Sequence, residues 1–347
     1  MIPVSVITGF LGSGKTTLLA RLMRDPAMGR TAVIINEFGS IALDHDLVET
    51  SEESFIQLSN GCLCCNVRND LTLTLADLAA RRAQGTVPPF ERVVIETSGL
   101  ADPAPILHAL MTDRDLNGVY ALDGVITTVD ALLGIATLDQ HEESRRQAAV
   151  ADRIVITKTD IDGVQTDAIK RRIATLNPGA QVVETMHGVI APALLFDCGF
   201  YDVAGKHPDV STWLAHESGA PGDAHEHQLE HEHEHHQHTP EITSFCIVRE
   251  QPLHAVTLPL LLSALAENCG ADLLRMKGIV HVRESPDRPA VIHGVQHVYH
   301  APVWLPRWPS ADRGTRMVFI GRHLRESWVR TLIELLDAEV AAEMAKR

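Results

Sequence analysis

Four short stretches of the 347-residue chain carry residue types whose spacing could do chemistry: GFLGSGKT (9–16), VVIETSG (93–99), TKTD (157–160) and GCLCC (61–65). The first fits GxxxxGK[ST] and lies between a β-branched run, VSVI, and a helical pattern, the context that motif requires. Main-chain N–H groups over Gly9, Gly12, Ser13 and Gly14, together with the positive end of the following helix, would converge on phosphate oxygens. Lys15 would reach the β and γ phosphates, Thr16 would hold Mg²⁺, and Thr17 completes the nucleotide-binding set. An acidic group must hold the metal from the far side, and Glu96 supplies it at the end of an apolar strand, directly or through water. Lys15 and Glu96 are therefore the candidate catalytic residues, and no general base is identifiable. The N–H of Gly99 is placed to sense a γ-phosphate and make the next loop nucleotide-dependent.

TKTD follows another apolar strand. There Asp160 could accept both N1–H and N2–H₂ of guanine while the stem of Lys158 lies across the ring, which favours GTP. The usual guanine motif is NKxD; Thr157 stands where Asn is expected, and its hydroxyl could replace part of the amide's bonding. The bland alternative is an Asp that caps a helix.

The sulfurs point to a soft cation. Cys62, Cys64 and Cys65 cannot satisfy tetrahedral zinc unaided, because adjacent Cys64 and Cys65 point opposite ways in an extended segment. Further ligands must come from elsewhere: INEFG offers Glu37 and the nearby DHD offers His45. If those loops answer to the γ-phosphate, metal affinity becomes linked to nucleotide state. A redox site remains the alternative. A second tract, within HESGAPGDAHEHQLEHEHEHHQHTPE, holds His225, His227, His231, His233, His235, His236 and His238 among glutamates, with no apolar period. It reads as an unstructured linker that either captures Zn²⁺, Co²⁺ or Ni²⁺ weakly or is merely solvated.

The elements that must position these groups are legible as period and composition. Strands are expected at 4–7, 31–36, 92–97, 125–130 and 153–158, with helices from the glycine-rich loop onward and at 71–84, 141–151 and 166–176. Strands apolar on both faces, alternating with helices, predict an α/β fold: a doubly wound, mostly parallel sheet of the phosphate-loop type over residues 1–215. The histidine-rich linker occupies 216–240. A smaller α+β domain over 241–347 is expected from strands at 242–248, 278–282, 290–295 and 316–321 and helices at 258–268 and 325–345.

Composition bounds the function classes. The 30 basic against 45 acidic side chains give a net charge of -15, which repels a nucleic-acid backbone. No apolar run reaches the roughly 18 residues of a membrane span, and the first residues lack the marks of a signal peptide. Six cysteines, half of them in GCLCC and the rest alone at Cys198, Cys246 and Cys269, are not a disulfide framework. A cytoplasmic protein is expected, with no nucleic-acid or membrane partner.

The combination GFLGSGKTT, INEFG, GCLCC, ETSGLADP and TKTD resembles the CobW-like GTPases, GTP-dependent metallochaperones that include cobalamin-biosynthesis and zinc-homeostasis members. RMKGIVHV, VIHGVQHVYH and RMVFIGRHL, in that order, are similar to the family's C-terminal domain. The resemblance implies that Lys15 and Thr16 serve phosphate and Mg²⁺, Glu96 and Gly99 form an acidic switch, Lys158 and Asp160 read guanine, and Cys62, Cys64 and Cys65 hold the metal with Glu37. Two departures are Thr157 for Asn and Ser40 where many members carry another acid. The expected function is a slow GTPase that binds Zn²⁺ tightly under Mg-GTP and releases it to a client metalloprotein, the chain acting alone or as a homodimer. A cobalt-loading (Co²⁺) factor for a cobalamin or nitrile hydratase pathway, and a metal buffer or sensor with a structural nucleotide site, are the alternatives.

Overall fold

The computed structural model describes residues 1–35, 55–57, 67–196 and 242–346. Seven strands form the first sheet: β1 (Ile2–Gly9), β2 (Thr31–Ile35), β3 (Phe55–Gln57), β4 (Arg92–Glu96), β5 (Tyr120–Asp130), β6 (Arg153–Thr157) and β7 (Gln181–Glu184). Their order is β3-β2-β4-β1-β5-β6-β7, and every neighbouring pair is parallel. The connections carry α1 (Lys15–Leu22), α2 (Val67–Ala83), α3 (Ala104–Thr112), α4 (Gly134–Gln140), α5 (Glu142–Ala149) and α6 (Thr166–Leu176).

Alternation along the strands explains why both faces are covered. Val6, Ile34 and Ile95 join the core under α2 and α3, whereas their neighbours Ile7, Val33 and Val94 join the opposite core with Leu18, Leu19 and Leu22 of α1. The expected doubly wound sheet is thus observed. Strand β5 is longer than its apolar signature, running from Tyr120, and β3, α3, α4 and β7 are additions to the elements expected from sequence.

The second sheet is antiparallel, in the order β11-β10-β9-β13-β8, built from β8 (Ile242–Arg249), β9 (Leu273–Val280), β10 (Ala290–Val295), β11 (Val298–Tyr299) and β13 (Thr315–Arg322). The short β12 (Val303–Trp304) pairs with β10. Helices α7 (Thr257–Cys269) and α8 (Glu326–Ala345) cover one face, where Leu261, Leu265, Val329 and Ile333 meet Met276, Met317 and Phe319. The other face turns Leu274, Val318 and Ile320 onto Ala148, Ile169, Ile173 and Leu176 of the first unit, so one apolar cluster crosses between the two sheets. No helix among the described residues is long and apolar enough to cross a membrane.

At the centre of that junction lies an acid. Asp152, 5% exposed, accepts from the Val125 N–H at 2.8 Å and from Arg275 Nη2 at 2.8 Å, and pairs also with Lys277. Burial pushes its carboxyl pKa up, but Arg275, Lys277 and the Val125 N–H outweigh this and hold it well below the usual carboxylate range. Asp152→Asn keeps the shape but leaves the buried Arg275 and the partly buried Lys277 facing a neutral amide. It is expected to cost about 3–5 kcal/mol in urea denaturation. Because the folded pKa is depressed, the carboxylate's contribution is full above the unfolded value near 3.9 and fades below it. The gap between wild type and variant should therefore stay constant from about pH 5 to 8 and narrow below about pH 4.

Candidate functional site

The glycine-rich loop leaves β1 at Gly9 and enters α1 through Gly14, whose φ of 91° is the left-handed region that favours glycine. The loop is pinned from below: the Ser13 hydroxyl shares a hydrogen bond with Thr128 Oγ1 at 2.6 Å and donates to the Phe10 carbonyl at 2.7 Å. Lys15 is buried, its Nζ donating to the carbonyls of Gly9 at 2.8 Å and Phe10 at 3.2 Å. Strands β1 and β4 pair with Ile7 opposite Glu96, which sets the buried Glu96 carboxylate beside the first turn of α1. There Thr16 Oγ1 donates to Glu96 Oε1 at 2.7 Å. A cleft of about 280 Å³ opens above this pair, and Lys15, Thr16, Thr17, Glu96, Gly99 and Lys158 line it with Gly12 and Gly14. Eight residues singled out in the sequence thus share one cavity, with Ile35 at its edge.

The loop after β4 is held on both sides. Thr97 donates its N–H to the Ile7 carbonyl at 2.9 Å and its hydroxyl to Thr8 Oγ1 at 2.8 Å. Gly99 lies against the phosphate loop so closely that a Cβ there would stand 2.8 Å from the Leu11 nitrogen and 2.9 Å from its Cα, so only glycine fits. From behind, Nε2 of the fully buried Gln147 donates to the carbonyls of Gly99 at 3.2 Å and Ala101 at 3.1 Å. Nothing in the local sequence marks Gln147: it sits in a polar helix and is recruited only by the fold.

TKTD begins at the last residue of β6. The Thr157 hydroxyl, buried, donates to the Ser13 carbonyl at 2.7 Å and so ties β6 to the phosphate loop. Lys158 takes a left-handed φ of 59° that swings its stem over the cleft, and its ammonium pairs with Asp130 at the end of β5. Burial pushes the Asp130 carboxyl up, but Lys158 and the N–H groups of Leu133 and Leu132 prevail and hold it below its ordinary value. Asp160 is not among the residues lining the cleft. Its Oδ1 accepts the His187 N–H at 3.1 Å, and His187 Nδ1 lies 3.2 Å from Oδ2. That N–H is the main reason the carboxyl is lowered. The helix-capping alternative is not observed, since Gln165 stands at the start of α6. His187, in a tight turn with φ 52°, is a second residue that sequence reasoning missed.

With this geometry in place, the chain matches the family described as CobW/HypB/UreG, nucleotide-binding domain over residues 3–184, and the CobW C-terminal domain over 242–336. The chain belongs to the CobW family. Among curated relatives, the zinc chaperone YjiA of Escherichia coli is 32% identical, covering 95% of this chain and 96% of its own. The zinc chaperone CobW of a Sinorhizobium species is 30% identical over 96% and 97%. The crystal structure of Zn(II)-bound YjiA GTPase from E. coli superposes with a TM-score of 0.68 at 28% identity, covering 96% and 98% of the two chains.

The sulfur and histidine readings of this CobW-family chain lie outside the described residues: Glu37, Ser40, His45, Cys62, Cys64, Cys65 and the tract from His225 to His238. Among the described residues no group of three or more His, Cys, Asp or Glu could hold a metal ion. Cys269 is half-buried and donates to the Leu265 carbonyl at 3.1 Å; burial, then Asp272, pushes its thiol up to about 11.

Thr157→Val keeps the shape and strips the hydroxyl from the Ser13 carbonyl. We expect a loss of about 1–3 kcal/mol in thermal or urea unfolding, as for a buried acceptor deprived of its donor. Nucleotide affinity should fall while the preference between GTP and ATP, measured by competition with a fluorescent nucleotide, is unchanged, because the hydroxyl faces the loop.

Proposed function

We propose that the chain is a GTP-hydrolysing zinc chaperone: it grips Zn²⁺ when Mg-GTP fills the cleft and passes the metal to a client metalloprotein after hydrolysis. The observation that carries the nucleotide half is the 2.7 Å contact of Thr16 Oγ1 with Glu96 Oε1 at the mouth of a glycine-rich loop. Two hard oxygens so placed fit Mg²⁺, which when bound supplies positive charge to the phosphate oxygens. Lys15 and the loop N–H groups stabilise the charge that builds up during phosphoryl transfer, and Gly99 contacts the γ-phosphate. Lys158 and Asp160 select guanine, with His187 orienting the Asp160 carboxylate.

The zinc half is supported by the names of relatives that match nearly the full chain and by the donor set in the sequence. Glu37 follows Ile35, which lines the cleft, by two residues, and Cys65 precedes the start of α2 by two. Glu37, Cys62, Cys64 and Cys65 thus stand next in sequence to described elements of the nucleotide-binding unit, and Zn²⁺ is the cargo they take. The histidine tract serves as a weak, exchangeable reservoir for the same cation.

Two measurements test this reading. Cys64→Ser is expected to weaken Zn²⁺ binding at least tenfold in competition with a chromophoric chelator under Mg-GTP, leaving the unfolding temperature unaltered; equal affinity rejects the sulfur site. Asp160→Ala should abolish the preference for GTP over ATP, and a retained preference assigns guanine recognition elsewhere.

A further inference from the structure

The loop carrying Gly99 is connected to the second sheet by a run of charged contacts. On α5, next to Gln147, Arg146 spreads its guanidinium across two acids: Nη1 donates to Asp102 Oδ2 at 3.1 Å, while Nε and Nη2 donate to Glu142 Oε1 at 3.0 and 2.7 Å. That same Glu142 oxygen accepts from Arg322 Nη1 at 2.8 Å, and Arg322 ends β13. Arg322 is itself fixed, Nη2 donating to the Ala271 carbonyl at 3.3 Å. Side-chain exposures of 27% for Arg146, 33% for Glu142 and 19% for Arg322 keep these pairs partly desolvated, where charge-assisted bonds are strong and directional. The planar Arg146 fork cannot follow Glu142 on one edge without turning against Asp102 on the other. Asp102 closes the loop by accepting the Ala104 N–H on Oδ1 at 2.9 Å, and Gly99, three residues earlier, has no room to move toward Leu11.

We infer that Arg322, Glu142, Arg146 and Asp102 form a positioning relay by which the C-terminal sheet sets the pose of the Gly99 loop and hence the rate of GTP hydrolysis. The relay rests on the GTPase half of the proposed function and is independent of zinc. None of its four residues touches the cleft, so the effect belongs in kcat and not in nucleotide affinity.

The test compares Arg322→Gln, Arg322→Lys, Asp102→Asn and the Arg322→Gln/Asp102→Asn double variant of the full chain by steady-state GTP hydrolysis, GDP binding and thermal unfolding. Asn at 102 still accepts the Ala104 N–H, so the start of α3 is kept. Arg322→Gln and Asp102→Asn should each lower kcat about three- to tenfold, within the range of coupling between linked sites. GDP affinity should stay within about twofold, since only the loop's pose changes. Arg322→Lys should recover most of the rate, and the double variant should be no slower than either single one. An unaltered kcat in Arg322→Gln, or losses that multiply in the double variant, overturns the relay. Should Arg322→Gln not fold, Glu142→Gln combined with Asp102→Asn poses the same question. Absence of hydrolysis by the wild-type chain would instead reject the GTPase reading itself.

Discussion

The parallel pairing of β1 with β4 is the constraint on which the site depends. With Ile7 opposite Glu96, the first strand delivers the phosphate loop and the second delivers a carboxylate to the same edge of the sheet, and the Thr16–Glu96 contact follows. The neighbouring strands add their own ties to the loop: Thr128 at the end of β5 and Thr157 at the end of β6 both bond Ser13. Parallel strands place all their carboxyl ends on one side, where a crevice can be lined by several loops at once. The loop is therefore clamped by three strands, while the Gly99 segment leans on it from a fourth.

A second consequence concerns the two sheets. The C-terminal sheet is apolar on both faces because one carries α7 and α8 and the other rests on α5 and α6. Asp152, paired with Arg275 and Lys277, makes that junction specific, since a slipped interface would leave buried charges unmatched. Helix α5 consequently serves two masters: its inner side holds the loop after β4 through Gln147, and its outer side meets the second sheet.

Much of this was legible in the chain. Fully buried strands read as β-branched runs, and α6 begins and ends at the expected residues because its apolar period is clean: Ile169, Ile173 and Leu176. The glycine-rich loop, Glu96, Gly99 and Lys158 converge as their motifs require. Helix α3 escaped because APILHALMT is apolar nearly all round, with Ile106, Leu107, Ala109 and Leu110 buried, so it shows no amphipathic period. The acceptor of the Thr157 hydroxyl, the Ser13 carbonyl, lies 144 residues away in sequence, so TKTD alone does not reveal that the hydroxyl standing in for the Asn amide ties β6 to the phosphate loop. Gln147, His187 and Asp152 act across separations of 27 residues or more in their decisive contacts, and no local pattern encodes such pairings.

The central claim is that filling the phosphate site reshapes the sulfur-bearing segment. Zinc affinity of the wild-type chain, titrated against a competing chelator with Mg²⁺ and either a nonhydrolysable GTP analogue or GDP, addresses it most directly. The account predicts tighter zinc binding by at least an order of magnitude with the triphosphate; equal affinity in the two states contradicts it.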